Sequence, residues 1–242
     1  MYRAIFIDID DTLLDYIPCC REAFDAAMNG LTDDGMSEAT DKRMDELFDL
    51  FFAISGRLFS EAKRGLHTVA EVMELYPREF IQEYRARSTE HRAQTELEMT
   101  DVFKHAFREA WGKTHTLVPG AREMLDGLRD KGYRLFAASN SFGHLQRSRL
   151  AHAGIADCFE DAFISMDIGY DKPDVRFYAE ALRRARLQPH EVLMVGDSMT
   201  TDILGAQQAG LDTCWFNRRH ERNDKAVPSM EIDDLRQLID KL

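Results

Sequence analysis

The sequence predicts an α/β protein: a doubly wound parallel sheet, covered by helices on both faces, with an α-helical domain inserted into it. Three observations lead there. Short apolar runs alternate with helical segments through the second half of the chain. Those runs are apolar on both faces, as strands buried on both sides must be. The segment from about Asp15 to Leu117, which follows the first run, contains no convincing strand.

The elements follow in order. Tyr2–Ile9, with Ala-Ile-Phe-Ile in its middle, supplies the first buried strand. In the inserted segment, Met44, Leu47, Phe48, Phe51 and Phe52 recur at the spacing of one helix face over Asp41–Phe52. Thr68 with Glu71 has capping-box spacing for a short helix. Pro77 suits the first turn of another, expected to run to about Arg92. Thr95 with Glu98 repeats the capping pattern before a helix to about Trp111. The aromatic and Met residues of these helices read as core, and Pro119-Gly120 marks the return to the α/β domain.

Beyond it come a strand at Tyr133–Ala138, a helix around Leu145–His152, a strand at Ala162–Ser165 and a helix from Pro173 to about Arg186. Glu191–Val195 is the next strand, followed by a helix over about Thr200–Ala209, a strand at Leu211–Phe216 and a closing amphipathic helix at Asp233–Leu242. The core is therefore expected over 1–14 and 118–242, and the helical domain over 15–117.

Composition narrows the function classes. With 242 residues, 44% hydrophobic and 31% charged, the chain reads as soluble and globular. No apolar run approaches the roughly 18 residues of a membrane span, and no signal-peptide pattern opens the chain. The four cysteines form no CxxC pair, and Cys19 and Cys20 are adjacent. That argues against a disulfide framework or zinc site and fits a reducing cytoplasm. A net charge of −12 disfavours a nucleic-acid polymer as partner. The one basic cluster, Arg218, Arg219, His220 and Arg222, reads as a solvated loop.

The chemistry-bearing residues sit where strands are expected to end, the edge at which open α/β sheets bind ligands. The first strand ends in Asp8-Ile9-Asp10-Asp11-Thr12, and residues two apart on an extended chain face the same side, so Asp8 and Asp10 project together. Another strand ends in Gly196-Asp197-Ser198, with Asp202 nearby. Two unit charges 4 Å apart repel by about 4 kcal/mol at an effective dielectric near 20. Such a cluster needs a cation or a proton, and hard oxygen ligands suit Mg²⁺. Singly, Ser139, Lys172 and an Asp-x-Asp pair are ordinary turn or surface features; the ordered set at four strand ends is not.

That set, Asp8/Asp10/Thr12, Ser139-Asn140, Lys172-Pro173 and Gly196-Asp197 with Asp202, resembles the four signature motifs of the haloacid dehalogenase (HAD) superfamily. The resemblance is strongest over 1–15 and 118–217. It implies a Rossmann-like core and a Mg²⁺-dependent phosphatase acting on a small phosphorylated metabolite through a phospho-aspartyl intermediate. Asp8 would be the nucleophile and Asp10 the general acid and base, with Lys172 balancing charge. Thr12, Ser139, the Asn140 backbone and Lys172 would bind phosphate. Asp8, the Asp10 carbonyl and Asp197 would hold Mg²⁺, with Asp202 supporting the metal shell. The long span from Asp10 to Ser139 would be the cap that such enzymes insert after their first motif to choose the substrate.

Asp10 argues against the dehalogenases and phosphonatases of the superfamily, and Gly196 argues against phosphosugar mutases. A phosphosugar phosphatase or mutase and a catalytically silent binding protein remain as alternatives. Ser139-Asn140-Ser141-Phe142, Val195-Gly196-Asp197 through Gly205, and Ala209-Gly210-Leu211 through Asn217 are most similar to bacterial pyrimidine 5′-nucleotidases. Ser141 departs from that pattern, which has Gly, and Tyr76-Pro77-Arg78-Glu79-Phe80 does not align with its cap motif. Phe52, Phe59 and Tyr76 are candidates to stack on a base.

Overall fold

Ala4–Ile7 (β1) is a run of four apolar residues, all buried, and it forms the centre of the sheet. The computed structural model describes residues 2–31, 41–87, 94–223 and 226–242. Among the described residues six strands lie in the order β3-β2-β1-β4-β5-β6, all parallel. The others are β2 (Arg134–Ser139), β3 (Asp161–Ile164), β4 (Val192–Gly196), β5 (Asp212–Phe216) and β6 (Met230–Ile232). Around them run α5 (Ala121–Asp130), α6 (Gly143–His152), the short α7 (Ser165–Ile168), α8 (Val175–Ala185), α9 (Gly205–Gln208) and α10 (Gln237–Lys241).

Alternation along the strands divides the core into two layers. Ile5, Ile7, Leu135, Ala137, Leu193 and Val195 face one side, against Met124, Leu125 and Leu128 of α5 and Leu238 of α10. Ala4, Phe6, Phe136, Ala138 and Met194 face the other, against Phe177, Tyr178 and Ala181 of α8. Phe6, Phe136 and Phe163 meet with ring centroids 5.2–5.5 Å apart. Each such buried side chain contributes about 1.5–3 kcal/mol relative to exposure.

The chain divides into two compact units, Met1–Tyr16 with His115–Leu242, and Ile17–Thr114. The second unit is the helical insertion after β1. It holds α1 (Tyr16–Gly30, from Ile17 on), α2 (Asp41–Lys63), α3 (Val69–Arg87) and α4 (Glu96–Trp111). Its core is aromatic: Phe51 meets Phe24, Tyr76, Phe80, Phe103 and Phe107 in tilted or edge-on contacts, with ring centroids within 5.7 Å.

Several sequence expectations need correction. Pro77 does not begin a helix; it lies inside α3, which runs unbroken from the Thr68–Glu71 capping pair. A proline there removes the N–H that would bond the Met73 carbonyl four residues back. The Arg108 Nη2 of α4 donates to that carbonyl instead, at 3.1 Å, so the carbonyl keeps a partner. The part of this helix expected beyond Arg87, to about Arg92, lies outside the described residues.

Pro173 precedes α8 without opening it, since Asp174 accepts from the Arg176 N–H as the cap. The segment after Asp197 starts as a wide π-helical turn, Met199–Leu204, before α9. The closing helix is only α10, and β6 precedes it.

Candidate active site

The strand register puts the four motif segments side by side. β1 lies between β2 and β4, with Ile7 level with both Ala137 and Val195. Asp8 continues that line, its N–H donating to the Val195 carbonyl at 2.9 Å. The carboxyl edge of the sheet thus presents Asp8 between Ser139, at the end of β2, and Asp197, just past β4.

Lys172 is almost completely buried here, and its ammonium is saturated. Nζ donates to Asp8 Oδ1 at 2.6 Å, Asp202 Oδ1 at 2.7 Å and the Ala138 carbonyl at 2.7 Å. An ammonium has three hydrogens, and all are used. The backbone of Lys172 is pinned as well, because the Asn140 amide donates to its carbonyl and accepts from its N–H, both at 2.7 Å. Burial alone would lower the Lys172 pKa, but Asp202 and Asp8 outweigh it and hold the side chain cationic beyond its ordinary range.

Oxygens of Asp8, Asp197 and Asp202 lie within 4.8 Å of one another. Like charges at that separation repel by about 3–4 kcal/mol per pair at an effective dielectric near 20. Burial, together with Asp202 and Asp197, pushes the Asp8 carboxyl well above its ordinary 3.8, against the pull of Lys172. Three carboxylates against one ammonium leave two negative charges, the charge of one divalent cation. The donor set, hard carboxylate oxygens, fits magnesium.

Local structure explains how each group arrives. The Asp197 N–H donates to Thr12 Oγ1 at 3.1 Å, and Trp215 Nε1 donates to the Asp197 carbonyl at 2.8 Å. The widened turn after Ser198 brings Asp202 back over the strand end, where its Oδ2 accepts from the Ser198 N–H at 3.0 Å. Gly196 makes room for it: a Cβ at that position would lie 2.3 Å from Asp202 Oδ2.

Asp11 takes a positive φ of 61°, uncommon but tolerable for Asp. It is held by Arg218 Nη2 at 2.7 Å and Arg219 Nη2 at 2.8 Å. Arg218 also donates to Asp15 Oδ1 at 2.9 Å. Arg218 therefore departs from the solvated loop residue expected, being half-buried and tying the segment after β5 to the turn after β1, while Arg219 stays exposed. A shallow cleft beside Asp197 is lined by Asp11, Phe216, Asn217, Arg218 and Arg219.

Two further expectations change. Thr12 is fully buried and bonded to Asp197, so its hydroxyl supports a carboxylate and is not turned to a phosphate. Lys172, with every hydrogen engaged, acts on Asp8 and Asp202 and has no separate donor for phosphate. The Asp10 carboxylate, which the resemblance does not place at the metal, stands outside the Asp8, Asp197 and Asp202 group that could hold an ion. It accepts from Arg149 Nη1 at 2.5 Å through Oδ1 and from Gln146 Nε2 at 2.7 Å through Oδ2. Ser139 is buried with its Oγ 2.9 Å from the same Gln146 nitrogen.

Gln146 and Arg149 were missed because a Gln and an Arg three apart on a helix read as a solvated face. The available signal was Leu145 and Leu150, which flank them on the same stripe and are buried too. Among the base-stacking candidates, Tyr76 is buried against Phe51 and Phe107, whereas Phe52 and Phe59 are half-buried.

The chain matches the haloacid dehalogenase-like hydrolase family over residues 2–210. It belongs to that family. It is 29% identical to the pyrimidine 5′-nucleotidase PynA of Streptococcus pneumoniae, across 100% of this chain and 95% of that protein. It is 30% identical to a glyceraldehyde 3-phosphate phosphatase of Methanopyrus kandleri, across 99% and 97%. Among solved structures it superposes on the HAD-hydrolase YfnB of Bacillus subtilis, bound to magnesium, with a TM-score of 0.81 and 27% identity, across 99% and 98% of the two chains.

Proposed function

We propose that this chain is a magnesium-dependent phosphatase for a small phosphate monoester, with Asp8 as nucleophile. The observation that carries this reading is the charge of the site: Asp8, Asp197 and Asp202 around a single saturated lysine leave a deficit that one divalent cation matches. Asp8, Asp197 and Asp202 would hold Mg²⁺, which when bound neutralises charge on the phosphoryl oxygens. The magnesium in the YfnB structure supports the assignment.

The residues divide the work as follows. An Asp8 oxygen bonds to phosphorus as the bond from phosphorus to the ester oxygen breaks. The departing electron pair stays on that oxygen, which takes a proton from the Asp10 carboxyl. Water then attacks phosphorus and gives its proton to Asp10, releasing phosphate and restoring Asp8. Lys172 holds Asp8 in place throughout, and the Ser139 hydroxyl is placed to donate to a phosphoryl oxygen.

The substrate reading within this class is a pyrimidine nucleoside 5′-monophosphate, supported by the match to PynA and by the segments around Ser139, Asp197 and Thr213. The match to a glyceraldehyde 3-phosphate phosphatase favours a three-carbon phosphate as the second reading. The motif residues meet only groups common to all monoesters, so residues outside them must discriminate.

The test has two stages. Asp8→Asn should abolish Mg²⁺-dependent release of phosphate from a generic aryl phosphate while the fold is retained. Turnover within about tenfold of the parent, a mere ~1.4 kcal/mol, would sink the mechanism. Comparison of kcat/KM across dUMP, dTMP, UMP, purine nucleotides, glyceraldehyde 3-phosphate and hexose phosphates then decides the substrate. A tenfold win for a sugar or triose phosphate removes the nucleotidase reading and keeps the phosphatase.

A further inference from the structure

A fully buried arginine and a fully buried glutamine sit directly behind the reacting groups. Arg149 and Gln146 are both 0% exposed, one helical turn apart on α6, which begins just after the Ser139-Asn140 segment. Burying a guanidinium is costly unless an acid pairs with it, and here the acid is Asp10 at 2.5 Å. The pair spans the sheet edge, from α6 to the turn after β1.

The hydrogen bonds have a direction that can be read. Arg149 Nη1 also donates to Gln146 Oε1 at 2.9 Å. A guanidinium only donates, so it fixes which end of the Gln146 amide is oxygen. The NH₂ end must then face the other way, where it meets Asp10 Oδ2 at 2.7 Å and Ser139 Oγ at 2.9 Å. An NH₂ has two hydrogens, one for each.

Two consequences follow for the partners. Asp10 Oδ1 accepts from Arg149 and Oδ2 from Gln146, a carboxylate oxygen can accept more than one such bond, and the side chain is 24% exposed on its open side. Ser139 Oγ is used as an acceptor, and its own hydrogen donates to no described residue. That hydroxyl is thereby turned into a donor for an incoming oxygen.

We propose that Gln146 and Arg149 are positioning residues of the reaction: Arg149 sets the Gln146 amide, and Gln146 aligns the Asp10 carboxylate and the Ser139 hydroxyl together. The inference rests on the phosphatase reading, in which Asp10 serves the leaving group. One amide thus couples the group that protonates the ester oxygen to the group that holds the phosphoryl oxygens.

The experiment measures kcat/KM of the full-length protein with Mg²⁺ on 4-nitrophenyl, 4-chlorophenyl and phenyl phosphates. These probes are similar in size but differ in how much protonation their leaving groups need. The parent is measured first; if it releases no phosphate from any of them, the underlying phosphatase reading falls, and this inference with it. Given an active parent, Gln146→Met keeps the side-chain length without the hydrogens. Its loss should be at least tenfold greater on phenyl phosphate than on 4-nitrophenyl phosphate, and Asp10→Asn should show the same bias. Added to Asp10→Asn, Gln146→Met should produce no further bias. An equal loss across the three esters would mean that Gln146 only packs, and would overturn the proposal. Should Gln146→Met fail to fold, Gln146→Leu also removes both hydrogens without adding charge beside Asp10, and the same bias is required of it.

Discussion

At the residue scale, Lys172 and Asp8 make opposite predictions. Removing one partner from a buried ion pair typically costs about 3–5 kcal/mol. Lys172→Met should therefore destabilise the metal-free protein by roughly that amount, because Asp8 and Asp202 lose their shared cation. Mg²⁺ should recover more stability in the variant than in the parent, which urea unfolding with and without the ion would show. Asp8 is the reverse case. Its folded pKa lies above the ordinary 3.8, so the folded state keeps a proton that the unfolded chain gives up. Stability of the metal-free protein should then fall as pH rises from that value through the folded one. Asp8→Asn should flatten this decline and raise the metal-free melting temperature at neutral pH. A variant less stable than its parent there would contradict the charge deficit. Asp8, Ser139, Asn140 and Asp197 stand out in the sequence because they close apolar runs, whereas Lys172 and Asp202 lie several residues beyond theirs and enter only through the ordered set of motifs. Gln146, Arg149 and Arg218 could not, since nothing local shows that their charged or polar ends turn inward.

At the element scale, α3 is informative because its proline sits where a helix should break. The Met73 carbonyl has exchanged a backbone donor for the Arg108 guanidinium. Arg108→Met should cost about 1–3 kcal/mol, the usual penalty for stranding a hydrogen-bonding group together with the loss of the Glu74 contact at 2.7 Å. In a Pro77→Ala background the N–H returns to Met73, and the cost should shrink by about 0.5 kcal/mol or more, measurable as the coupling in a double-mutant cycle. Additive costs would show that Arg108 does not replace the missing bond. The proline misled the sequence reading for the same reason: its cost is met by a residue 31 positions away, on another helix. β6 was illegible differently. Met230-Glu231-Ile232 is three residues long at the sheet edge, too short for periodicity to register. The central strands, apolar on both faces, were plain.

At the scale of the whole molecule, the sequence interval between β1 and β2 holds a unit with its own core. The rings of Phe24, Phe51, Phe80, Phe103 and Phe107 all come from Ile17–Thr114 and pack against one another. That segment expressed alone should be helical by circular dichroism and melt cooperatively; a broad, non-cooperative transition would show that its core is incomplete. The parallel order of the sheet has a consequence for how the molecule comes to exist. β1 lies at the centre, yet both its neighbours, β2 and β4, are translated only after the whole helical unit. Until then Ala-Ile-Phe-Ile has two open edges and no lateral partner. Pairing over so long a chain separation makes for slow folding, and an apolar strand left waiting invites pairing with other chains. The step that closes this sheet also brings Asp8 beside Ser139 and Asp197, so a ribosome-bound chain carries Asp8 long before the rest of that group exists around it.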